Sequence, residues 1–256
     1  MQIRVLGAHN TESKNTGMSG LLVDGVLALD AGALTSSLSL KAQFKLKAVL
    51  ITHHHYDHIR DIPALGMNLF LSARSLDIYS HEAVFETLKT HFLNGDLYPR
   101  FYERPEQNPT LRFNVLNPNK TYDVAGYSIL PVPVNHSIPA FGYQITAQDG
   151  KTIFYTGDTG INLSSVWQHI SPQLLIIVLT APDRFEESVG SAKHLTPRLL
   201  KKELLDFKTL KGYLPRVLTV HMNPPLEGEI AEELALVADS LKASITLANE
   251  GMRIVL

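Results

Sequence analysis

The sequence predicts an α/β domain built from two similar halves. Three observations carry this reading. Apolar runs of strand length alternate with helically spaced apolar residues in both halves of the 256-residue chain, and no Ser/Gly-rich linker divides them. A content of 45% hydrophobic and 19% charged residues suits a packed interior, and this length can bury a sizeable one. We therefore expect a single domain over residues 1–256.

The elements follow in order. Gln2 to Leu6 reads as a strand, followed by a loop of small and polar residues from Gly7 to Ser19. Leu21–Val23 and Val26–Leu29 flank Asp24-Gly25, a strong hairpin signal. Lys47 to Thr52 is an apolar run of strand length, with a helix expected to begin near Ile59. Leu76 to Tyr79 is strand-like and leads into Glu82 to Leu93, where Ala83, Phe85, Leu88 and Phe92 recur at helical spacing. Gly95, Pro99, Pro105 and Pro109 mark residues 94–112 as an irregular connection that could act as a lid. Strands are then expected at Tyr127–Val134, Gly142–Ala147, Thr152–Thr156, Leu174–Thr180, Val217–Val220 and finally Ile245–Ala248. Helices are expected at Pro197–Leu205 and Glu229–Leu241.

Composition narrows the functions available. Twenty-three Lys and Arg against 25 Asp and Glu leave a formal charge of -2, so no global basic field holds a nucleic-acid backbone. Cysteine is absent, which excludes disulfides, thiolate ligands and a cysteine nucleophile, so any metal must sit on His, Asp or Glu. No signal-peptide pattern opens the sequence, making the cytoplasm the expected location. Runs such as Leu174 to Leu179 fall far short of the roughly 20 residues needed to span a membrane.

Histidine is the unusual residue: there are 11, four of them between positions 53 and 58. In His53-His54-His55-Tyr56-Asp57-His58, side chains two apart on extended backbone point the same way. His53 and His55 can therefore grip one metal while His54 turns outward. Starting at His54 would instead make Tyr56 the partner, a poor ligand. Asp57 and His58 then face a second metal about 3.5–4 Å from the first, the spacing of two-metal hydrolytic sites. A histidine-rich surface tract binding metal adventitiously is the alternative, but such a tract does not place an Asp between histidines at the mouth of a buried strand.

The segment Leu50 to Ile59 resembles the signature of the metallo-β-lactamase superfamily, and the resemblance covers essentially the whole chain. It implies a four-layer αββα sandwich. Asn135-His136-Ser137-Ile138-Pro139 followed by Gly142-Tyr143 resembles the third-histidine motif, and Gly157-Asp158-Thr159-Gly160 the motif of the bridging aspartate. Val217 to His221 ends a strand on a histidine, as the last ligand should. The resemblance implies His53, His55 and His136 on the first metal, Asp57, His58 and His221 on the second, and Asp158 bridging. Zinc is the first expectation, with manganese or iron as alternatives. His9, His81, His91 and His169 lack such framing and are read as structural or surface residues.

The third motif is similar to the phosphodiesterase branch, as opposed to lactonases and thioesterases. Lys193-His194-Leu195-Thr196-Pro197 resembles the His-Leu-Ser/Thr-Pro segment of class II cyclic-nucleotide phosphodiesterases. The resemblance implies hydrolysis of a small phosphodiester, a cyclic nucleotide first, by hydroxide generated at the metals, with Asp57 and His194 taking part in catalysis. A histidine titrating near neutrality at position 194 could protonate the leaving alkoxide or neutralise a phosphate oxygen. Thr196 and Pro197 also read as a helix cap and first turn. The alternatives are a ribonuclease Z-like nuclease, whose tRNA-gripping arm has no counterpart here, a carboxyl-ester or thioester hydrolase, and a metal-binding scaffold that has lost catalysis. The expected partner is a small substrate, with nucleic acid disfavoured, no membrane, and a homodimer as the default assembly.

Overall fold

The computed structural model describes residues 1–256. Strict alternation in the short apolar strands divides the interior. Leu21 and Val23, Leu27 and Leu29, and Ala48 and Leu50 enter one core, whereas the intervening Leu22, Ala28 and Val49 enter another on the opposite face. A sheet buried on both faces needs a partner on each, and the chain supplies a second sheet on one side and helices on the other.

Fourteen strands form the two sheets: β1 (Gln2–Gly7), β2 (Gly20–Val23), β3 (Leu27–Leu29), β4 (Ala48–Leu50), β5 (Leu76–Ser80), β6 (Leu111–Val115), β7 (Tyr122–Val124), β8 (Tyr127–Pro133), β9 (Phe141–Thr146), β10 (Thr152–Tyr155), β11 (Leu174–Val178), β12 (Arg216–Val220), β13 (Ile245–Leu247) and β14 (Arg253–Val255). One sheet runs β14-β1-β2-β3-β4-β5-β6 and the other β13-β12-β11-β10-β9-β8-β7. Each has three antiparallel pairings followed by three parallel ones. That repeat is the two-half organisation expected from the sequence. Pro131 and Pro133 sit in β8 beyond the short β7, where β8 pairs only with β9 and no ladder donor is lost on the open side.

The helices Ile62–Phe70 and Glu82–Thr87 cover the first sheet, burying Ile62, Leu65, Leu69, Val84 and Phe85 against Val49, Ile51 and Ile78. Ser164–His169, Pro197–Lys211 and Glu227–Leu241 cover the second through Trp167, Leu200, Leu204, Phe207 and Leu234. The result is the four-layer αββα sandwich. No helix is long and apolar enough to cross a membrane.

The structure corrects several expectations about elements. A helix begins at Tyr56, not near Ile59, so Asp57 and His58 lie within the short helix Tyr56–Ile59. The helix starting at Pro197 continues past Leu205 to Lys211, where Gly212 ends it in the left-handed conformation. Ile245 does not open the last strand, because Arg253–Val255 crosses back to pair with β1. The connection after residue 94 is packed: Phe101 is buried beneath Gly66 and Leu111, and residue 111 already belongs to β6.

Candidate metal centre

All the motif residues meet at one edge of the sandwich, at the C-terminal ends of strands from both sheets. This is where parallel strands leave room for a site between their loops. His53 to His58 follow β4, His136 sits in the β8–β9 connection, Asp158 follows β10, and His221 follows β12. Backbone bonds lock these loops together: Phe141 N donates to Thr52 O and Gly160 N to Asn135 O. Gly157 turns Asp158 inward at φ 58°, and a Cβ there would lie 2.7 Å from the Thr52 side chain. Gly32 allows similar closeness, since its Cβ would lie 2.0 Å from the Asp57 carbonyl oxygen.

Two groups of ligating atoms result: His53, His55, His136 and Asp158, and then Asp57, His58, Asp158 and His221. Asp158 belongs to both, and His54 to neither. Within the first group, His53 Nε2 lies 3.0 Å from His55 Nδ1, which lies 3.2 Å from His136 Nε2, and Asp158 Oδ2 is 3.6 Å from His53 Nε2. Within the second, Asp57 Oδ2 is 3.0 Å from His221 Nε2 and 3.4 Å from His58 Nε2; Asp158 Oδ2 is 3.3 and 3.4 Å from the same two nitrogens. Two tetrahedral ligands at ordinary zinc bond lengths lie about 3.4 Å apart, so these spacings suit a divalent ion in each group.

The outer hydrogen bonds point to the same use. His58 Nδ1 donates to Asp30 Oδ2 at 2.7 Å, His53 Nδ1 donates to Thr52 Oγ1 at 3.0 Å, and His221 Nδ1 donates to Thr180 Oγ1 at 3.2 Å. Each ring thus spends Nδ1 outward and turns Nε2 to the centre. Buried His58 Nε2 has no hydrogen-bond partner, as expected of a ligand atom. Asp30 anchors this shell, taking further bonds from Thr52 N and the Tyr155 hydroxyl, each at 2.7 Å.

Charge is set by burial and by neighbours. Burial pushes His53 well below its usual range, and takes His136 down to about 4. Burial pushes Asp57 and Asp158 up, but the imidazoles of His58 and His221 outweigh it and hold both carboxyls low. His58 runs the other way: burial lowers it, yet Asp158, Asp30 and Asp57 hold it well above neutrality. His53 and His136 are thus neutral imidazoles beside ionised carboxylates, the form that binds a metal.

His194 stands over the junction of the two groups. Its ring stacks on His221 at 5.1 Å between centroids, with Nδ1 3.9 Å from Asp158 Oδ2 and without a hydrogen-bond partner. Thr196 caps the helix that follows. The near-neutral titration expected of His194 is corrected: burial, then His221 and His136, push it down to about 4. His9, His81, His91 and His169 lie outside both groups. The sequence reading missed Asp30, Thr52, Tyr155 and Thr180. For Asp30 a signal existed, an acidic residue directly after the apolar run Val26–Leu29.

Comparison with known proteins agrees with this architecture. Residues 21–238 match the model of the β-lactamase superfamily domain. Ribonuclease Z of Acaryochloris marina is 27% identical over 167 residues, 61% of this chain and 51% of that protein. The probable metallo-hydrolase YhfI of Bacillus subtilis is 27% identical over 234 residues, 84% of this chain and 87% of that one. The chain spans about half the length of the ribonuclease Z proteins it matches first. Among solved structures, YhfI superposes with a TM-score of 0.78 at 19% identity, covering 99% of both chains. Unliganded yeast PDE1 superposes with a TM-score of 0.85 at 17% identity, covering 100% of this chain and 99% of that one. With the domain model matched over most of its length, this chain belongs to the β-lactamase superfamily and has the metallo-β-lactamase fold, with two groups of His and Asp side chains that could each hold a metal ion.

Proposed function

We propose that the chain, working as one domain, hydrolyses a small phosphodiester, a cyclic nucleotide first, with two divalent ions. Zinc is the first choice of metal and manganese or iron the alternatives. His53, His55 and His136 would hold one ion and Asp57, His58 and His221 the other, with Asp158 within reach of both. Ions bound there supply positive charge for the phosphoryl oxygens and lower the pKa of a water. The observation that carries the reading is His194: an unpartnered ring nitrogen aimed at the junction of the groups, where a phosphate spanning them would lie. The ring is neutral in the free chain, so His194 meets the substrate as a hydrogen-bond donor to a phosphate or leaving oxygen. A phosphate bound beside it raises that pKa, so the ring can take up a proton from water along with the substrate and pass it to the leaving oxygen.

Two cavities flank the His136 loop. One, of about 400 Å³, is lined by His81, Pro118, Ser137, Ile138 and Phe141; the other, of about 470 Å³, by Asn135, Asn162, Glu186, Lys193 and Arg198. Both are in the size range of small-molecule sites. The ribonuclease Z relatives favour a second reading, an RNA-processing nuclease. Against it stands the net charge of -2, which offers no global basic field for an RNA backbone. Metal-loaded protein should release a nucleotide monoester from 3′,5′- or 2′,3′-cyclic nucleotides, and Asp158→Ala should abolish the release. Preference for precursor tRNA at equal concentration would establish the nuclease reading, and cleavage of only carboxyl esters or thioesters would refute both.

A further inference from the structure

We propose that His9 is a positioning residue for the second ligand group: its imidazole clasps two carboxylates and thereby sets the backbone that presents His221. The sequence reading left His9 as a structural or surface residue, and the site described above does not use it. Its ring is 3% exposed and engaged at both nitrogens, Nδ1 with Glu250 Oε1 at 2.7 Å and Nε2 with Glu227 Oε2 at 3.3 Å. The two nitrogens face opposite ways, so the three side chains cannot converge on one ion and the cluster is a clasp, not a third metal group.

What the clasp joins gives it consequence. Glu227 opens the helix that follows the His221 segment, and Glu250 lies on the turn between β13 and β14. Glu250 Oε1 also accepts from Gly17 N at 2.8 Å and Ala8 N at 3.2 Å, holding the loop after β1 at both ends. That loop lies directly along the ligand. Ala8 O accepts from the amides of both His221 and Met222, and Asn10 N donates to Met222 O. His221 itself sits at φ 70°, a left-handed conformation that a histidine holds only where its surroundings impose it. The imposing contacts are the Ala8 carbonyl on the backbone and Thr180 on the ring. Releasing His9 detaches residues 8–10 from Glu227 and leaves them tied to Glu250 only through Ala8 N at 3.2 Å, which lets His221 relax out of the geometry that aims Nε2 at Asp57 and Asp158. His53, His55 and His136 have no contact with this clasp.

Metal-free protein titrated with Co²⁺, followed by visible absorption and metal content, separates the steps, with His221→Ala as the one-ion reference. In His9→Ala the first ion should bind as in the wild type and the second about 10–100-fold more weakly, the usual effect of losing an outer-shell partner. Glu227 is partly exposed, so Glu227→Ala should keep the fold and weaken the same step. Glu227→Gln retains an acceptor for Nε2 and should restore it. Wild-type affinity for both ions in His9→Ala and Glu227→Ala would overturn the proposal. So would an equal loss of both ions with a parallel fall in the metal-free unfolding midpoint, which would make the clasp merely structural. A wild-type chain that saturates at one ion would overturn the ligand assignment, and the role of His9 with it.

Discussion

Replacing Asp30 by Asn exchanges one oxygen for an NH₂ group and changes nothing else in size, yet it should disable His58 as a ligand. Asp30 faces donors only: Thr52 N and Tyr155 OH, each at 2.7 Å, His58 Nδ1 at 2.7 Å, and the Thr52 hydroxyl at 3.0–3.1 Å. The amide oxygen of the substituted side chain must face Thr52 N, because a backbone N–H cannot turn away; a buried donor left unmatched costs about 1–3 kcal/mol. The NH₂ group then faces Tyr155 and His58. Tyr155 can rotate its hydroxyl to accept, but His58 can accept only by moving its proton from Nδ1 to Nε2. That proton occupies the lone pair aimed at Asp57 and Asp158. The second ion should bind about 10–100-fold more weakly, which is about 1.4–2.7 kcal/mol, while His53, coupled to Asp30 only through Thr52, keeps the first. Metal titration reads the affinity, and nitrogen chemical shifts of the metal-free ring, recorded at a pH above its folded pKa, read the tautomer. An Asp30→Asn chain that binds both ions with wild-type affinity, or whose His58 keeps its proton on Nδ1, would refute the reasoning.

His194→Ala should lower turnover by about 10²–10⁴-fold with metal content unchanged, and spare a nitrophenyl ester relative to an alkyl one; equal losses would assign His194 to phosphate binding and not to the leaving group. Filling the second group should release about one proton near pH 7, because three carboxylates keep His58 protonated until a metal displaces the proton; calorimetry in buffers of different ionisation enthalpy measures it. For His9, burial lowers the pKa but the bonds to Glu250 and Glu227 raise it further, so its folded value exceeds the unfolded one. Its contribution to stability is therefore fully present below the ordinary histidine pKa and lost as pH rises through the folded value. The difference in urea midpoint between wild type and His9→Gln should be largest near pH 5.5 and shrink toward pH 9.

How much of the site was legible follows from how local each feature is. The pairing of His53 with His55, and the placing of Asp57 and His58 just beyond, rest on the geometry of six consecutive residues. His136, Asp158 and His221 were legible only through the resemblance of their motifs to the superfamily's, because a lone histidine or an aspartate in a turn carries no such signal by itself. The boundaries of elements were less legible. Tyr56–Ile59 is a single turn, too short for helical periodicity to mark it, and β14 is too short to stand out until β1 offers it an edge.

The sequence by itself therefore determined the α/β class and the residue types that could hold metal, because these depend on short-range periodicity and side-chain chemistry, while the order of the ligand motifs was read from the resemblance to the superfamily. The tertiary structure alone decided what stands behind the ligands and what charge they carry. Tyr155 reaches Asp30 across 125 residues, Thr180 reaches His221 across 41, and Glu250 reaches His9 across 241. No local pattern encodes such contacts. Burial at the sheet edge moves His194 far from neutrality, and three converging carboxylates hold His58 protonated. Both effects arise only when the two sheets bring distant loops together out of water.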